Sequence, residues 1–303
     1  MAIADQLTLT PGARLRELMS QGVVAAPGAF NALCALAIRD AGFKAAYISG
    51  AATSVAAGVP DVGILTLDHF AGVIREAARA SGLPIIADAD TGFGESEMVR
   101  RTVVEYQRAG AAGLHIEDQV FPKRCGHLDG KKLVPLDHAC EKVRAAAETA
   151  GASPDPSFIV CARTDARGVD GLDAAIERAA AYLHAGADMI FPEGLVSEVE
   201  FKGFADGLRQ AVEPGMRYTL LANMTEFGKT PIIPLARFGE LGYSLVIYPV
   251  TMLRVAMGAV TRALATLRET GSVESLLSGM QTREQLYAAI GYKPGVEWNY
   301  PIR

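Results

Sequence analysis

Residues 96–118 read SEMVRRTVVEYQRAGAAGLHIED, and this stretch contains one helix, one stop signal and one strand. The pattern over Ser96–Ala109 predicts a helix. Gly110 follows its last turn, where glycine is the usual left-handed stop. The apolar run Gly113–Ile116 then predicts a short buried strand. The repetition of this unit along the chain decides the fold.

The same unit recurs throughout the sequence. Apolar runs that predict strands lie at Val23–Ala26, Ala45–Ile48, Pro84–Ala87, Gly113–Ile116, Phe158–Ala162, Met189–Phe191, Tyr218–Ala222 and Leu245–Tyr248. Helical patterns lie at Ala32–Ala41, Leu67–Ser81, Ser96–Ala109, Leu136–Ala150, Gly171–Ala185 and Val199–Ala211. Because no two strands are close enough for a hairpin, they must pair in parallel through crossovers. The simplest closed arrangement is an α/β fold of the (β/α)8 TIM-barrel type.

A doubly wound open sheet is the alternative architecture. It lacks support because no G-x-G-x-x-G motif follows the first strand, and Gly92-Phe93-Gly94 supplies only half of one. No linker divides the chain, so we expect one domain over residues 1–303. Helical segments at Val273–Met280 and Arg283–Ile290 exceed what eight units need, and they predict a helical C-terminal extension over about residues 251–303.

Composition narrows the class of protein. At 303 residues with 50% hydrophobic content, the chain can bury a large core. The 29 basic against 34 acidic residues leave no basic excess for a nucleic-acid groove. No apolar run is long enough for a membrane span, and the N-terminus lacks a signal-peptide core. Four cysteines without C-x-x-C spacing suit a reducing compartment, so we expect a cytoplasmic protein.

Polar side chains follow the predicted strands at their carboxyl ends. They are Ser49, which Gly50 follows, Asp88 and Asp90, Glu117, Arg163, Glu193, and Asn223 with Thr225. A single residue of this kind is more often part of a structural ion pair. In a barrel, however, the carboxyl ends of all strands meet at one rim, where active sites lie. Five consecutive strand ends, from the third strand to the seventh, carry ionisable or amide groups and therefore predict a functional site.

The acidic residues of this rim predict a metal. Asp88, Asp90 and Glu117 offer oxygen ligands, which suit Mg²⁺, with Mn²⁺ as a substitute. No histidine or cysteine cluster favours zinc. Arg163 is left to grip a carboxylate of the ligand. The rim therefore predicts a small anionic substrate that is bound partly through a metal.

The loop after the fourth strand contains a cysteine among basic residues, Lys123-Arg124-Cys125-Gly126-His127. Such neighbours favour the thiolate of Cys125. A surface loop with an incidental thiol is the plainer interpretation of this segment alone. The polar rim beside it favours a reactive cysteine on a loop with glycine hinges.

Several motifs together resemble the isocitrate lyase and phosphoenolpyruvate mutase superfamily. They are ISG at 48–50, DADTGFG at 88–94, AGLHIEDQVFPKRCGH at 112–127, CARTDA at 161–166, FPEG at 191–194 and ANMTEFG at 222–228. The resemblance covers about residues 27–283 and is strongest to the 2-methylisocitrate lyase branch. It implies a barrel whose last helix is exchanged between subunits, a homotetramer, and a Mg²⁺ site at Asp88 and Asp90 with Glu117 nearby.

The resemblance also implies an activity, the cleavage of 2-methylisocitrate to pyruvate and succinate in propionate catabolism. The expected substrate-binding residues are Ser49, Gly50, Ala51, Lys123, Arg124, Gly126, His127, Glu193, Asn223, Thr225 and Arg283. The chain reads Ser49-Gly50-Ala51-Ala52 where SGGG is frequent in the branch, so Ala51 adds a methyl group beside the ligand. This makes 2,3-dimethylmalate or another substituted malate a competing substrate.

The expected chemistry assigns one role to each catalytic residue. Mg²⁺ acts as a Lewis acid, and Arg163 neutralises the developing oxyanion. Cys125 protonates the second product on carbon as a general acid. Tyr47, Asp61 and a metal-bound water are the candidates for removing the hydroxyl proton. The alternatives are a relative such as an oxaloacetate decarboxylase and, more distantly, a non-catalytic binding barrel.

Overall fold

The computed structural model describes residues 9–124, 126 and 130–298. Eight parallel strands form a nearly closed barrel with helices between and after them, which confirms the predicted fold class. The strands are β1 (Val24–Pro27), β2 (Ala46–Ile48), β3 (Ile85–Asp88), β4 (Gly113–Glu117), β5 (Ile159–Thr164), β6 (Met189–Pro192), β7 (Thr219–Asn223) and β8 (Leu245–Tyr248). Each coincides with a predicted strand to within one or two residues.

Parallel ladders join the strands in the order β1, β8, β7, β6, β5, β4, β3, β2. A single bridge between Gly28 and Tyr47 brings β1 back to β2 and closes the ring. The register pairs Asp88 of β3 with His115 of β4. It also pairs Glu117 of β4 with Arg163 of β5, so the predicted rim residues lie on adjacent strands at similar heights.

The α-helices are α1 (Pro11–Ser20), α2 (Ala32–Asp40), α3 (Gly50–Ala56), α4 (Leu67–Ser81), α5 (Ser96–Ala109), α6 (Leu136–Gly151), α7 (Leu172–His184), α8 (Glu198–Ala211), α9 (Leu235–Glu240), α10 (Thr251–Thr270) and α11 (Arg283–Ala289). Gly82 after α4 and Gly110 after α5 adopt the left-handed conformation expected of helix stops. The short helices α3 and α9 were not predicted. The predicted helix at Val273–Met280 is instead a 3-10 helix over Glu274–Gly279.

Helix α1 closes the amino end of the barrel. Its Leu15 and Met19 are buried and pack with inward-facing strand residues such as Ile159 and Leu245. Asp155 fixes the start of the helix, since it accepts hydrogen bonds from the Thr10 hydroxyl at 2.6 Å and from the Gly12 N–H at 3.1 Å. The barrel interior is therefore a packed core, as in other barrels of this type.

Helix α10 follows β8 but leaves the surface of the barrel. Of its 20 residues, Leu253 alone is buried. Apolar side chains further along it, such as Val260, Leu264 and Leu267, are exposed. A helix with such a stripe normally packs against another element. No described helix is long and apolar enough to cross a membrane.

Candidate active site

The carboxyl ends of the strands surround a pocket with a cavity volume of about 120 Å³. The predicted site residues that line it are Tyr47, Ser49, Ala51, Asp61, Asp88, Gly126, Arg163, Glu193, Asn223 and Thr225. Gly50, Asp90, Glu117 and Lys123 stand behind this lining and contact it. Cys125 and His127 lie outside the described residues.

Backbone N–H groups hold the carboxylate of Asp88 at the end of β3. Gly50 N donates to Oδ2 and Asp90 N donates to Oδ1, both at 3.0 Å. Burial opposes the ionisation of Asp88, but His115 in its protonated form, Lys123 and Arg163 together outweigh it and lower the pKa to about 2. Asp88 is therefore an anion at neutral pH.

Asp90 lies beside Asp88 in an unusual backbone conformation. Its φ of 45° falls in the left-handed region, which few non-glycine residues adopt and which is frequent at functional sites. A methyl group placed on Gly50 would lie 2.6 Å from Asp88 Oδ2 and 3.2 Å from Asp90 Oδ1, so the two carboxylates converge on one point. Burial and then the charge of Asp88 raise the pKa of Asp90 to about 6.

Lys123 is buried against these carboxylates. Its Nζ lies 2.8 Å from Asp90 Oδ1 and also forms an ion pair with Asp61. Burial disfavours the ammonium, but the surrounding carboxylates, Glu117 first, raise its pKa above the ordinary value. Lys123 was predicted to bind substrate. In this structure it ties its own loop to Asp61 and to the turn after β3.

Arg163 is the buried cation of the pocket. Its Nε donates to Asp165 Oδ2 at 3.0 Å, and its Nη2 donates to Asp165 Oδ1 at 3.3 Å. Its Nη1 lies 3.2 Å from Glu117 Oε2, and Nη2 lies 3.7 Å from Glu193 Oε2. The guanidinium also lies over the Phe191 ring, 5.2 Å from its centroid. Carboxylates thus fix three edges of a cation that still faces the pocket.

Tyr47 and His115 form a buried polar pair on the wall of the pocket. The Tyr47 hydroxyl lies 2.8 Å from His115 Nε2, and His115 Nδ1 lies 3.6 Å from Asp88 Oδ1. Burial lowers the pKa of His115 to about 4, so the imidazole is neutral at pH 7. Burial, reinforced by Asp88, raises the pKa of Tyr47 well above its ordinary value. Tyr47 therefore holds its proton at neutral pH and shares it with a neutral imidazole.

The remaining predicted residues differ in how they take part. Asn223 donates to Glu193 Oε2 at 3.1 Å on the far wall of the pocket. The Ser49 hydroxyl accepts from Ala52 N and caps α3. Arg124 is exposed, and its guanidinium lies against Gly130. Arg283 begins α11, which contacts α2 outside the barrel, and it does not line the pocket of its own chain.

Of the pocket residues that were not predicted, Glu226, Phe227 and Arg254 form a charged and aromatic group. Arg254 Nη1 lies 2.9 Å from Glu226 Oε2, and its guanidinium lies 5.3 Å from the centroid of the Phe227 ring. Phe227 is 96% exposed, with a φ of 61°. The sequence could have indicated Arg254, because this residue lies in the first turn of the helix after β8 and hence at the rim. The strand-end pattern does not include Arg254, because that pattern covers only the residues directly after each strand.

The acidic pair fits a hard divalent cation. Asp88 and Asp90 present adjacent oxygens at the rim, and Mg²⁺ commonly needs only one or two protein carboxylates plus water and substrate oxygens. Within the part of the chain that the structure describes, no three acidic, histidine or cysteine side chains converge as a complete metal cage. Glu117 is buried, and neither carboxylate oxygen accepts a hydrogen bond, although Oε2 faces Arg163. Burial raises the pKa of Glu117 well above its ordinary value, and its side chain lies beside Arg163.

Comparison with known proteins places this architecture in a family. The family described as phosphoenolpyruvate phosphomutase matches residues 15–268. The chain belongs to this family. The predicted superfamily resemblance is thereby confirmed.

Relatives within the family indicate a lyase. A probable 2-methylisocitrate lyase of Corynebacterium glutamicum is 51% identical over 88% of this chain and 84% of its own length. A 2-methylisocitrate lyase of Escherichia coli is 41% identical over 93% of both chains. These relatives confirm the prediction of a carbon–carbon lyase of the 2-methylisocitrate lyase type.

Solved structures of family members have the same fold. A 2,3-dimethylmalate lyase has a TM-score of 0.86 and 35% identity, covering 94% of this chain and 92% of its own. A phosphonopyruvate hydrolase in complex with oxalate and Mg²⁺ has a TM-score of 0.82 and 30% identity, covering 93% and 95%.

Proposed function

We propose that this protein cleaves 2-methylisocitrate to pyruvate and succinate in a Mg²⁺-dependent reaction. The observation that carries the proposal is the arrangement of one pocket, in which the buried cation Arg163 and the acidic residue Asp88 line the same space. A substrate with several carboxylates and a hydroxyl group needs both a fixed cation and a place for a metal. The 2-methylisocitrate lyases among the relatives support this substrate.

Arg163 holds the negative end of the reacting group. Because Asp165 and Glu117 fix its guanidinium, it does not have to reorganise as charge develops on the substrate, which is the basis of electrostatic catalysis. Its ionic state is secure, since the surrounding carboxylates raise its pKa above the ordinary value despite burial.

Asp88 and Asp90 are the residues that would hold Mg²⁺, with Glu117 nearby. The metal supplies Lewis-acid polarisation of the substrate oxygens when it is bound. The oxalate and Mg²⁺ complex of the related hydrolase supports the choice of metal. Mn²⁺ takes similar oxygen ligands and is the expected substitute.

Tyr47 is our choice for transferring the hydroxyl proton. It lines the pocket, and its hydrogen bond to His115 gives its proton a neutral acceptor inside the barrel wall. Asp61 is less suited to the task because it is paired with Lys123. A metal-bound water remains the third candidate.

Cys125 is proposed as the general acid that protonates the second product. It lies outside the described residues, but its neighbour Gly126 supports the role. A methyl group on Gly126 would lie 2.5 Å from Arg163 Nη2 and 2.6 Å from Glu193 Cγ, so the loop backbone reaches the centre of the pocket. We expect Cys125→Ser to lower kcat by about 10² to 10⁴-fold. Binding of Mn²⁺, followed by electron paramagnetic resonance, should be unchanged, and undiminished turnover would remove the thiol from the mechanism.

A second substrate is favoured by one observation. Ala51 lines the pocket, and its methyl group takes space that glycine would leave free. A 2,3-dimethylmalate lyase is among the structures with the same fold. We therefore keep 2,3-dimethylmalate, or another substituted malate, as the alternative. Oxaloacetate decarboxylation is the third reaction to test.

The decisive assay offers four substrates to the protein: 2-methylisocitrate, isocitrate, 2,3-dimethylmalate and oxaloacetate. Each is incubated with Mg²⁺ or with EDTA, and the released keto acid is followed. We expect 2-methylisocitrate to have the highest kcat/KM and EDTA to abolish turnover. Reaction with oxaloacetate alone would contradict the lyase proposal, and full activity in EDTA would contradict the metal.

The proposal also includes the oligomeric state and the metabolic pathway. We propose a homotetramer in which the exposed apolar stripe of α10 packs on a second copy of the chain. The proposed reaction belongs to propionate catabolism, through the methylcitrate cycle. Cytoplasmic location, one domain over the whole chain, and substrate contact by Arg124, His127 and Arg283 stay predictions.

A further inference from the structure

Lys131 is a buried cation to which the proposed reaction assigns no role. Its side chain is 4% exposed, and its Nζ lies 2.7 Å from Asp165 Oδ1. The same ammonium donates a hydrogen bond to the carbonyl oxygen of Gly126. Lysine is rarely buried unless it is paired, because its desolvation costs several kcal/mol. Its position between a loop and a strand end therefore calls for an explanation.

Asp165 is shared between two cations. Its Oδ1 accepts from Lys131 and from Arg163 Nη2, and its Oδ2 accepts from Arg163 Nε. Asp165 is itself anchored, since its N–H donates to Asp118 Oδ1 at 2.9 Å. Asp118 also accepts from the Tyr182 hydroxyl on α7 at 2.8 Å. The carboxylate that orients Arg163 is therefore fixed from behind and balanced by Lys131 from the side.

Gly126 is the other partner of Lys131, and it touches the same guanidinium. There is no space for a side chain between the Gly126 backbone and Arg163 Nη2. The described loop residue next to Cys125 thus rests directly on the cation that faces the pocket. On one side of this contact the Lys131 ammonium donates to the Gly126 carbonyl. On the other side it balances the charge of Asp165, the carboxylate that binds Arg163.

We propose that Lys131 is a positioning residue for Arg163 and for the backbone at Gly126. By binding Asp165 and the Gly126 carbonyl together, it sets the separation between the guanidinium and the loop. Without the ammonium, Asp165 keeps one cation instead of two and draws Arg163 towards itself and away from the pocket. The Gly126 carbonyl loses its donor in the same step. This inference rests on the proposed function for its kinetic readout.

The test compares Lys131→Met with Lys132→Met, which removes an exposed lysine one position further on. We expect Lys131→Met to lower kcat for 2-methylisocitrate by about 10²-fold, because misplacement by about 1 Å costs this much. KM should change by less than about threefold, since the other binding groups remain. Lys132→Met should leave both constants at wild-type values. Lys131→Arg should restore part of kcat, because a guanidinium can donate to both oxygens.

A second readout does not depend on turnover. Alkylation of Cys125 by iodoacetamide, followed by peptide mass mapping, should be faster in Lys131→Met than in Lys132→Met, because the adjacent Gly126 carbonyl is no longer held. If the wild-type protein cleaves none of the substrates, the proposed function fails while this comparison still tests Lys131. If Lys131→Met does not fold, Lys131→Gln keeps a donor to Gly126 without the charge and is measured in its place.

Each result of these experiments either supports or overturns the positioning role of Lys131. A kcat within about twofold of wild type for Lys131→Met, or an unchanged alkylation rate, overturns the proposal. Equal kcat losses in the Met and Arg variants with an equal fall in melting temperature would show that Lys131 only stabilises the fold. A loss of kcat at nearly constant KM, partly rescued by arginine, supports the positioning role.

Discussion

The acidic pair after β3 depends on a glycine in a different element. Gly50 N donates to Asp88 Oδ2, and a methyl group on Gly50 would lie 2.6 Å from that oxygen. We expect Gly50→Ala to displace the carboxylate and to raise the Mg²⁺ concentration for half-maximal activity about 10 to 100-fold. Titration of activity with Mg²⁺ measures this. Gly72→Ala in α4 is the control, since a methyl group there meets nothing within 4 Å.

An unchanged Mg²⁺ requirement in Gly50→Ala would show that the metal does not lie at this pair. A loss of activity that excess Mg²⁺ cannot restore would point to a defect in substrate binding at the same loop.

At the residue scale, the sequence predicted the polar residues at strand ends. It did not predict pairs that form only when distant segments of the chain meet. Asp88 and Arg163 could be found because parallel strands in a barrel end at one rim. The pairing of Lys123 with Asp61 could not, since two distant loops must meet to form it. Arg254 could have been found, because it lies in the first turn of the helix after β8, but it does not stand directly at a strand end.

At the element scale, the glycines that end the helices made the following strands predictable. The short helices were not predictable. Helix α3 has 7 residues and α9 has 6, too few for a clear periodic pattern. The position of helix α1 at the amino end of the barrel was not predicted either. That position depends on Asp155, which is distant in sequence.

Asp155→Ala should therefore loosen α1 from the barrel. The carboxylate is buried and accepts from Thr10, Gly12 and Ser157. Leaving these donors without a partner should lower the free energy of unfolding by about 1 to 3 kcal/mol. Denaturant unfolding measures the change. Asp68→Ala removes an exposed aspartate that is 3.6 Å from Arg101, and it should have little effect. Equal effects of the two substitutions would contradict the anchoring role.

At the scale of the whole molecule, α10 predicts self-association. Val260, Leu264 and Leu267 share one exposed face of this helix. Light scattering after size exclusion should give a mass near four times the chain mass of 32.0 kDa. Leu264→Lys should yield smaller species because it places a charge in the contact, whereas Glu269→Lys on the opposite face should not. A wild-type mass of one chain would contradict this assembly.

Helix α1 closes the amino end of the barrel and thereby limits how ligands reach and leave the pocket. With Leu15 and Met19 filling the amino end, the described residues leave an opening at the opposite end of the barrel, where Phe227 and Arg254 line the pocket. Because the pocket is closed at its amino end, the two products of a cleavage must leave through the same opening. The product nearer the opening leaves first. Product-inhibition kinetics should consequently be ordered, with the fragment released last competing directly against the substrate.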